Sequence, residues 1–276
     1  MSSQTTCTVT GLHLIKASGG VGVRVARTSL GPLHVWPRSV TPAGWVDVDE
    51  LYRPITIPWE EDPAWSRWDT VGRTLYVADS PRAAYAEVLQ HYRRGPRAML
   101  ALTRAAEAVG MSVQDYLAAI EREWKGVCAM EPGQFPAGWR HDRALYEIQT
   151  PGSGWWIDVE HGDSLTALSA APLALTPVRL AEPLTRSHVL DDRRRVTVSL
   201  AMHMRSLKLF DGSSPLGVVW ESKTGYGRNW AHWMRRVDDG LDPGADDPSP
   251  IGDGRQIAAD DRDLRHVAAA YGLHVH

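Results

Sequence analysis

The sequence predicts an α+β fold, and three observations carry that expectation. Short β-type runs bounded by Gly and Pro occur towards both ends of the chain. Helical patterns are grouped between them instead of alternating with strands one for one, as a βαβ repeat requires. The Gly-rich run "SGGVGVRV" (18–25) opens no helix and lacks the G-x-G-x-x-G spacing of a dinucleotide-binding turn.

The elements follow in chain order. Residues 8–48 read as β-rich: "VGVRVAR" (21–27) alternates, and "GPLHVWP" (31–37) and "GWVDVDE" (44–50) are short bounded runs. "PITIPWEEDPAW" (54–65) carries three prolines, which excludes a long regular element and leaves a loop or surface strap. "TLYVA" (74–78) has strand composition and "DSP" is a turn. Ser80 as N-cap with Pro81 behind it starts a helix expected to run to about Arg93. Two further helices are expected over 97–109 and 112–124. Residues 126–154 read as loop, with "RALYEIQ" the possible strand, and "GWWIDVE" as another. Val196, Leu200, Met204 and Leu207 recur at helical spacing over 191–208. "PLGVVWES" is a β run, and "YGRNWAHWM" leads into a strand or a short helix. Residues 238–256, acidic and rich in Gly and Pro, read as a linker or flexible loop. The last helix, 258–271, stops at Gly272. This divides the chain into a β-rich segment (1–48), a main domain (49–236) with a helical insertion at about 97–150, and a tail (237–276) of acidic linker and helix.

Composition bounds the function. The hydrophobic fraction of 43% and charged fraction of 23% are those of a globular protein, and no apolar run reaches a membrane span. The start shows no secretion signal, so a cytoplasmic protein is expected. A net charge of −3 gives no general attraction to nucleic acid or to anionic membrane. Cys7 and Cys128 form neither a disulfide framework nor a metal quartet, and P-loop, G-x-S-x-G and HExxH motifs are absent. The terminal His274 and His276 read as a loose end. Any enzyme here is expected to work without metal, thiol or serine-triad chemistry. Twelve Trp against two Phe supply either core packing or faces on which a flat ring can stack.

Several blocks then resemble one family. An Arg in "YRP" (52–54), the pair Arg67-Trp68, "GRTLYVADSPRAAYAEVL" (72–89) and a β run ending in Ser222 followed by "GRNWA" (227–231) are similar to the RES-domain family. That family is named for its Arg, Glu and Ser; the matching positions are Arg53, Glu87 and Ser222. Arg67 matches a family Arg-Trp block, although the two preceding glycines are Trp65 and Ser66 here, and Tyr76 matches a strand tyrosine. The likeness covers about 50–95 closely and 185–235 loosely. It implies a split mixed or antiparallel β core with flanking helices, like that of diphtheria-toxin-type ADP-ribosyltransferases, in an NAD-binding domain. It further implies an NAD-degrading toxin, restrained by a cognate antitoxin protein.

The chemistry matches those residue types. Cleaving the nicotinamide–ribose bond of NAD expels a neutral ring, so positive charge builds on the sugar and a carboxylate stabilises it. The resemblance gives Glu87 that role, Arg53 and Arg67 the pyrophosphate, Tyr76 and Trp68 the flanks of the nicotinamide, and Ser222 a ribose, an amide or the incoming nucleophile. Water or inorganic phosphate is the expected acceptor. Each residue has a plainer reading: a solvated helix carboxylate, a surface ion pair for Arg53, core packing for Tyr76, a strand end for Ser222. Asn229 and His232 either line the site or are structural. Two rival functions stand beside NAD cleavage: ADP-ribosyl transfer to a macromolecule, and a non-catalytic NAD-binding or interaction module.

Overall fold

The computed structural model describes residues 3–38, 65–93, 95–123, 138–171, 183–190, 194–273 and 275. Arg53, the run at 44–50 and nearly all of the three-proline segment lie outside them. Nine strands form one sheet: β1 (Gln4–Thr6), β2 (His13–Lys16), β3 (Val21–Arg27), β4 (Thr74–Ala78), β5 (Arg143–Gln149), β6 (Trp155–Asp158), β7 (Gly217–Glu221), β8 (Arg228–Trp233) and β9 (Ser249–Gln256). Their order is β1-β2-β6-β7-β8-β4-β3-β5-β9. Only β6 and β7 pair in parallel among the described strands; every other pairing is antiparallel. The chain is α+β with a large mixed sheet.

One join in that sheet is weak. β3 pairs with β5 along all seven residues, from Val21↔Gln149 to Arg27↔Arg143. β3 and β4 pair only at Val23↔Ala78 among the described residues. Gly22 helps them meet there, because a Cβ on it would lie 2.2 Å from Val77 Cγ1. Beyond that contact the strands part, and the sheet opens.

Helices cover the sheet face carrying Tyr76, Ala78, Val218, Trp220, Ala231 and Trp233. α1 (Pro81–Leu89) begins as its sequence requires, with Ser80 Oγ accepting from Ala83 N–H at 3.2 Å and Pro81 in the first turn. It ends at Leu89 in a 3-10 turn over Gln90–Tyr92, short of the expected Arg93. α2 (Pro96–Ala108) and α3 (Val113–Glu123) form a helical hairpin. α4 (Gly162–Ser169) follows β6; α5 (Arg186–Leu190) and α6 (Arg194–Ser206) precede β7, and the short α7 (Arg235–Asp238) follows β8. α8 (Arg262–Tyr271) stops at Gly272 in the left-handed region (φ 66°). It packs against α1, bringing Leu264, Val267 and Ala268 to Ala83, Ala86 and Leu89. A second core joins Leu200 and Met204 to Trp68, Trp233 and Ile157.

Three expectations are corrected. Residues 31–37 form a turn and extended chain rather than a strand, tied down by the bridge Arg38↔Gly72. The supposed linker contains β9, paired with β5 around a bulge between Leu145 and Glu147. The supposed insertion at 97–150 contains β5, an integral strand, besides its two helices. No helix among the described residues is long and apolar enough to cross a membrane.

Candidate functional site

The gap between β3 and β4 is the mouth of a cleft of about 320 Å³. Val23, Arg24 and Val25 of β3 line one wall, Tyr76 and Ala78 of β4 the other, and Glu87 of α1, Trp220 of β7 and Asn229 of β8 complete it. The register explains the grouping: Ala78 faces Asn229 and Tyr76 faces Ala231 across β4–β8, while Trp220 lies opposite Asn229 across β7–β8. Side chains alternating on three neighbouring strands therefore converge under one turn of α1.

Glu87 is half-buried and held by neutral donors. Ser222 Oγ donates to its Oε1 at 2.6 Å and Asn229 Nδ2 at 3.0 Å, while Gln90 Nε2 donates to Oε2 at 3.2 Å. Ser222 and Asn229 are buried, so these bonds fix the carboxylate against the cleft wall. The β7–β8 turn fixes Ser222 in turn, through Ser222 N–H to Gly227 O at 2.6 Å. Gly227 sits at φ 115°, and a Cβ there would meet the Asp79 carboxylate at 2.5 Å. Thr224 Oγ1 lies 2.6 Å from Ser222 Oγ and next to the Tyr271 hydroxyl at the end of α8, which donates to Ala86 O of α1 at 3.4 Å. A polar chain thus joins the C-terminal helix to the glutamate.

Tyr76 closes the floor. Its hydroxyl donates to Asp69 Oδ1 at 2.8 Å and accepts from Trp68 N–H at 3.0 Å. Burial and the neighbouring Asp69 hold the phenol well above its ordinary value of 10, so it stays protonated and donates. Its ring meets Trp220 edge-on at 6.2 Å. Asp69 is itself buried, accepting from Ser66 N–H at 2.8 Å and from Arg38 Nε at 3.2 Å; burial pushes its carboxyl up despite those donors.

The cations are Arg24, Arg67 and Arg194, all lining the cleft. Arg24 has one described bond, Nη2 to His34 O at 3.0 Å; its Nη1 is buried without a partner. Burial alone pulls its guanidinium down to about 10. A buried cation with an idle donor has the chemistry to pair with an anion. Arg24 also borders a second chamber of about 310 Å³ that holds Arg27, His34, Arg38 and Arg143.

Of the residues anticipated from sequence, Glu87, Asn229, Tyr76 and Arg67 line this cleft, and Ser222 lies buried behind Glu87, bonded to it; Arg53 lies outside the described residues. One expectation, Trp68, is corrected, and one alternative left open, His232, is decided for structure. Trp68 is fully buried, packed with Trp233 and Met204, and lines no part of the cleft. Its carbonyl accepts from Trp233 Nε1 at 3.2 Å, which turns the indole into the core, and Trp220 beside it takes the aromatic place. His232 sits on the opposite face of β8, 3.3 Å from Asp247 Oδ1, and away from the cleft. Arg24 and Trp220 were missed. In "VGVRVAR" Arg24 falls opposite the alternating valines, with Gly22 and Ala26, and so reads as the wet face of an ordinary strand.

No family model matches the chain, and no curated protein matches it. Among solved structures it aligns with the crystal structure of the M. tuberculosis MbcT–MbcA toxin–antitoxin complex, over 86% of this chain and 87% of that one, at 11% identity and a TM-score of 0.35. A likeness at that level carries no weight for fold or function.

Proposed function

We propose that the chain cleaves the nicotinamide–ribose bond of NAD, passing the ADP-ribosyl group to water or phosphate. The observation that carries the reading is Glu87, fixed by Ser222 and Asn229 and bonded, among the described residues, only to neutral side chains, in a cleft lined by arginines. Its negative charge faces the ribose as the C–N bond breaks and cationic character grows on the sugar. Tyr76 and Trp220 flank the departing nicotinamide, whose cationic form an aromatic face tolerates. Arg24 and Arg67 hold the pyrophosphate, for which a guanidinium offers paired donors. Neutral nicotinamide leaves without needing an acid, and water or phosphate attacks the sugar in its place. Water gives ADP-ribose and a proton; phosphate gives ADP-ribose 1″-phosphate.

The test is incubation of the purified protein with NAD, with and without phosphate. Nicotinamide should appear at equal rate to NAD loss, and Glu87→Gln should stop it. Intact NAD, or equal loss with that variant, overturns the reading. Label from NAD on protein or nucleic acid identifies a transferase instead. A toxin role, and an antitoxin that covers the cleft, rest on the sequence resemblance alone. Growth arrest on expression of the parent protein, absent with Glu87→Gln, is the matching test.

A further inference from the structure

A second group of reactive side chains lies at the other end of the sheet. His13 opens β2, His161 is the N-cap of α4 and Asp163 is in the first turn of that helix. Their nitrogen and carboxylate donor atoms all lie within 4.8 Å of one another. Ser, Thr, Asp and Asn are the usual N-cap residues, so a histidine there asks for a reason. Its Nδ1 does accept from Asp163 N–H at 3.2 Å, but an asparagine could do the same.

The decisive detail is His13. The residue is 9% exposed, and its Nδ1 is buried with no hydrogen-bond partner. Leaving a buried ring nitrogen unsatisfied costs about 1–3 kcal/mol, and among the buried unpaired ring nitrogens of the described residues this one sits beside a second imidazole and a carboxylate. The His13 and His161 rings stack at 3.6 Å between centroids, 13° from parallel. Asp163 is oriented in its turn by the Thr6 hydroxyl, which donates to Oδ2. Such outer partners are what aim a ligating carboxylate.

We propose that His13, His161 and Asp163 form a divalent transition-metal site that clips the N-terminal hairpin to the start of α4. Two imidazoles and one carboxylate select zinc, cobalt or nickel over magnesium or calcium. Ligand atoms of a tetrahedral zinc site lie about 3.3 Å apart at bond lengths near 2.0 Å. The donors, at most 4.8 Å apart and 3.8 Å for His161 Nδ1 and Asp163 Oδ2, must therefore close by up to about 1.5 Å, and the rings must leave their stack. The His161 and Asp163 side chains, 42% and 49% exposed, have the freedom to do so. His161 also lines a chamber of about 250 Å³, which brings solvent to its side of the cluster. The clip joins residues 150 apart in sequence, from 13 to 163, so it closes a long loop and stabilises the folded state by binding it selectively.

The probe is metal alone on the full chain. After chelator treatment the protein is titrated with Co²⁺, read by its visible absorption, and with Zn²⁺, read by calorimetry and melting temperature. One equivalent should bind with a dissociation constant on the order of micromolar, and melting should rise with metal concentration. His161→Asn keeps a capping acceptor, so the metal-free protein should melt as before while affinity falls at least about tenfold; Asp163→Asn should do likewise. Replacing His274 and His276 by Ala should leave binding intact. Absence of saturable binding, binding untouched by both single variants, or binding lost with the terminal histidines overturns the site. NAD consumption plays no part in this readout.

Discussion

Two carboxylates eighteen residues apart, Asp69 and Glu87, lie beside the same tyrosine-floored cleft and are held in opposite ways. Asp69 is buried, and its donors include a guanidinium, Arg38, besides Ser66 N–H and the Tyr76 hydroxyl. Glu87 is half-buried at the cleft wall, and the three side chains bonded to it among the described residues are neutral. A charge matched by an internal cation is spent on structure, where it anchors the 65–69 segment beneath Tyr76. A charge held in place by dipoles alone keeps its field for whatever enters the cleft. The contrast assigns one carboxylate to the fold and the other to the chemistry, and each assignment can be broken.

Glu87→Gln should have the largest effect. The amide keeps an oxygen for Ser222 and Asn229, so the network survives while the charge goes. NAD turnover should fall by about 10²–10³-fold, the usual cost of removing a preorganised electrostatic group, with melting temperature nearly unchanged. A steady-state assay beside a thermal melt checks both. If activity persists, or melting falls sharply, Glu87 belongs with Asp69 as structure.

Asp69→Ala tests the other side. It strips the Arg38 guanidinium, the Ser66 N–H and the Tyr76 hydroxyl of one acceptor at once. We expect a loss of about 3 kcal/mol of stability, the range for a broken buried network, read by denaturant unfolding. Turnover per folded molecule should fall far less than in Glu87→Gln.

The sequence made one of these carboxylates legible and hid the other, for local reasons. Ser80, Pro81 and the strand before them are strong short-range signals, so the unit from Thr74 to Leu89 could be read directly, Glu87 included. Gly272 marked the end of α8 in the same way. Asp69 lies in a loop, and nothing local says that it meets Tyr76 and Arg38. β9 was read as linker because Pro250, Gly252 and Gly254 are strand breakers by propensity; it is an edge strand, where fewer ladder bonds are required. α4 was hidden by its glycine start and its Ser and Thr content. Trp68 and Trp220 were exchanged because composition cannot say which indole the core will take. Arg24 escaped because its meaning depends on the parting of β3 and β4, which only the tertiary register reveals.

Arg24→Met sharpens the comparison from the cationic side. A charged donor to a phosphate contributes about 1.5–3 kcal/mol, so KM for NAD should rise about 10–100-fold. Stability should move the opposite way or not at all. The guanidinium is buried with Nη1 idle, and replacing an unpaired buried charge by an apolar chain of similar length relieves desolvation. A raised KM with unchanged or higher melting marks a ligand-binding arginine; a lower melting temperature with unchanged KM marks a structural one.

The smallest expected effect lies farthest from the carboxylate. Tyr271 reaches Glu87 through Thr224 and Ser222, and its hydroxyl also makes a long bond of 3.4 Å to Ala86 O, so Tyr271→Phe removes one hydroxyl from that chain and leaves the ring's packing. Burial already holds this phenol above its ordinary value of 10, so no ionisation is lost with it. One hydrogen bond is worth about 0.5–1.5 kcal/mol, which sets the drop in kcat at about 2–10-fold with KM unchanged. Thr224→Val should give a similar loss, and the double variant should lose no more than either alone, because both break the same chain. Additive losses would mean that the two hydroxyls act separately. The orientation of Glu87 would then rest on Ser222 and Asn229 without help from α8.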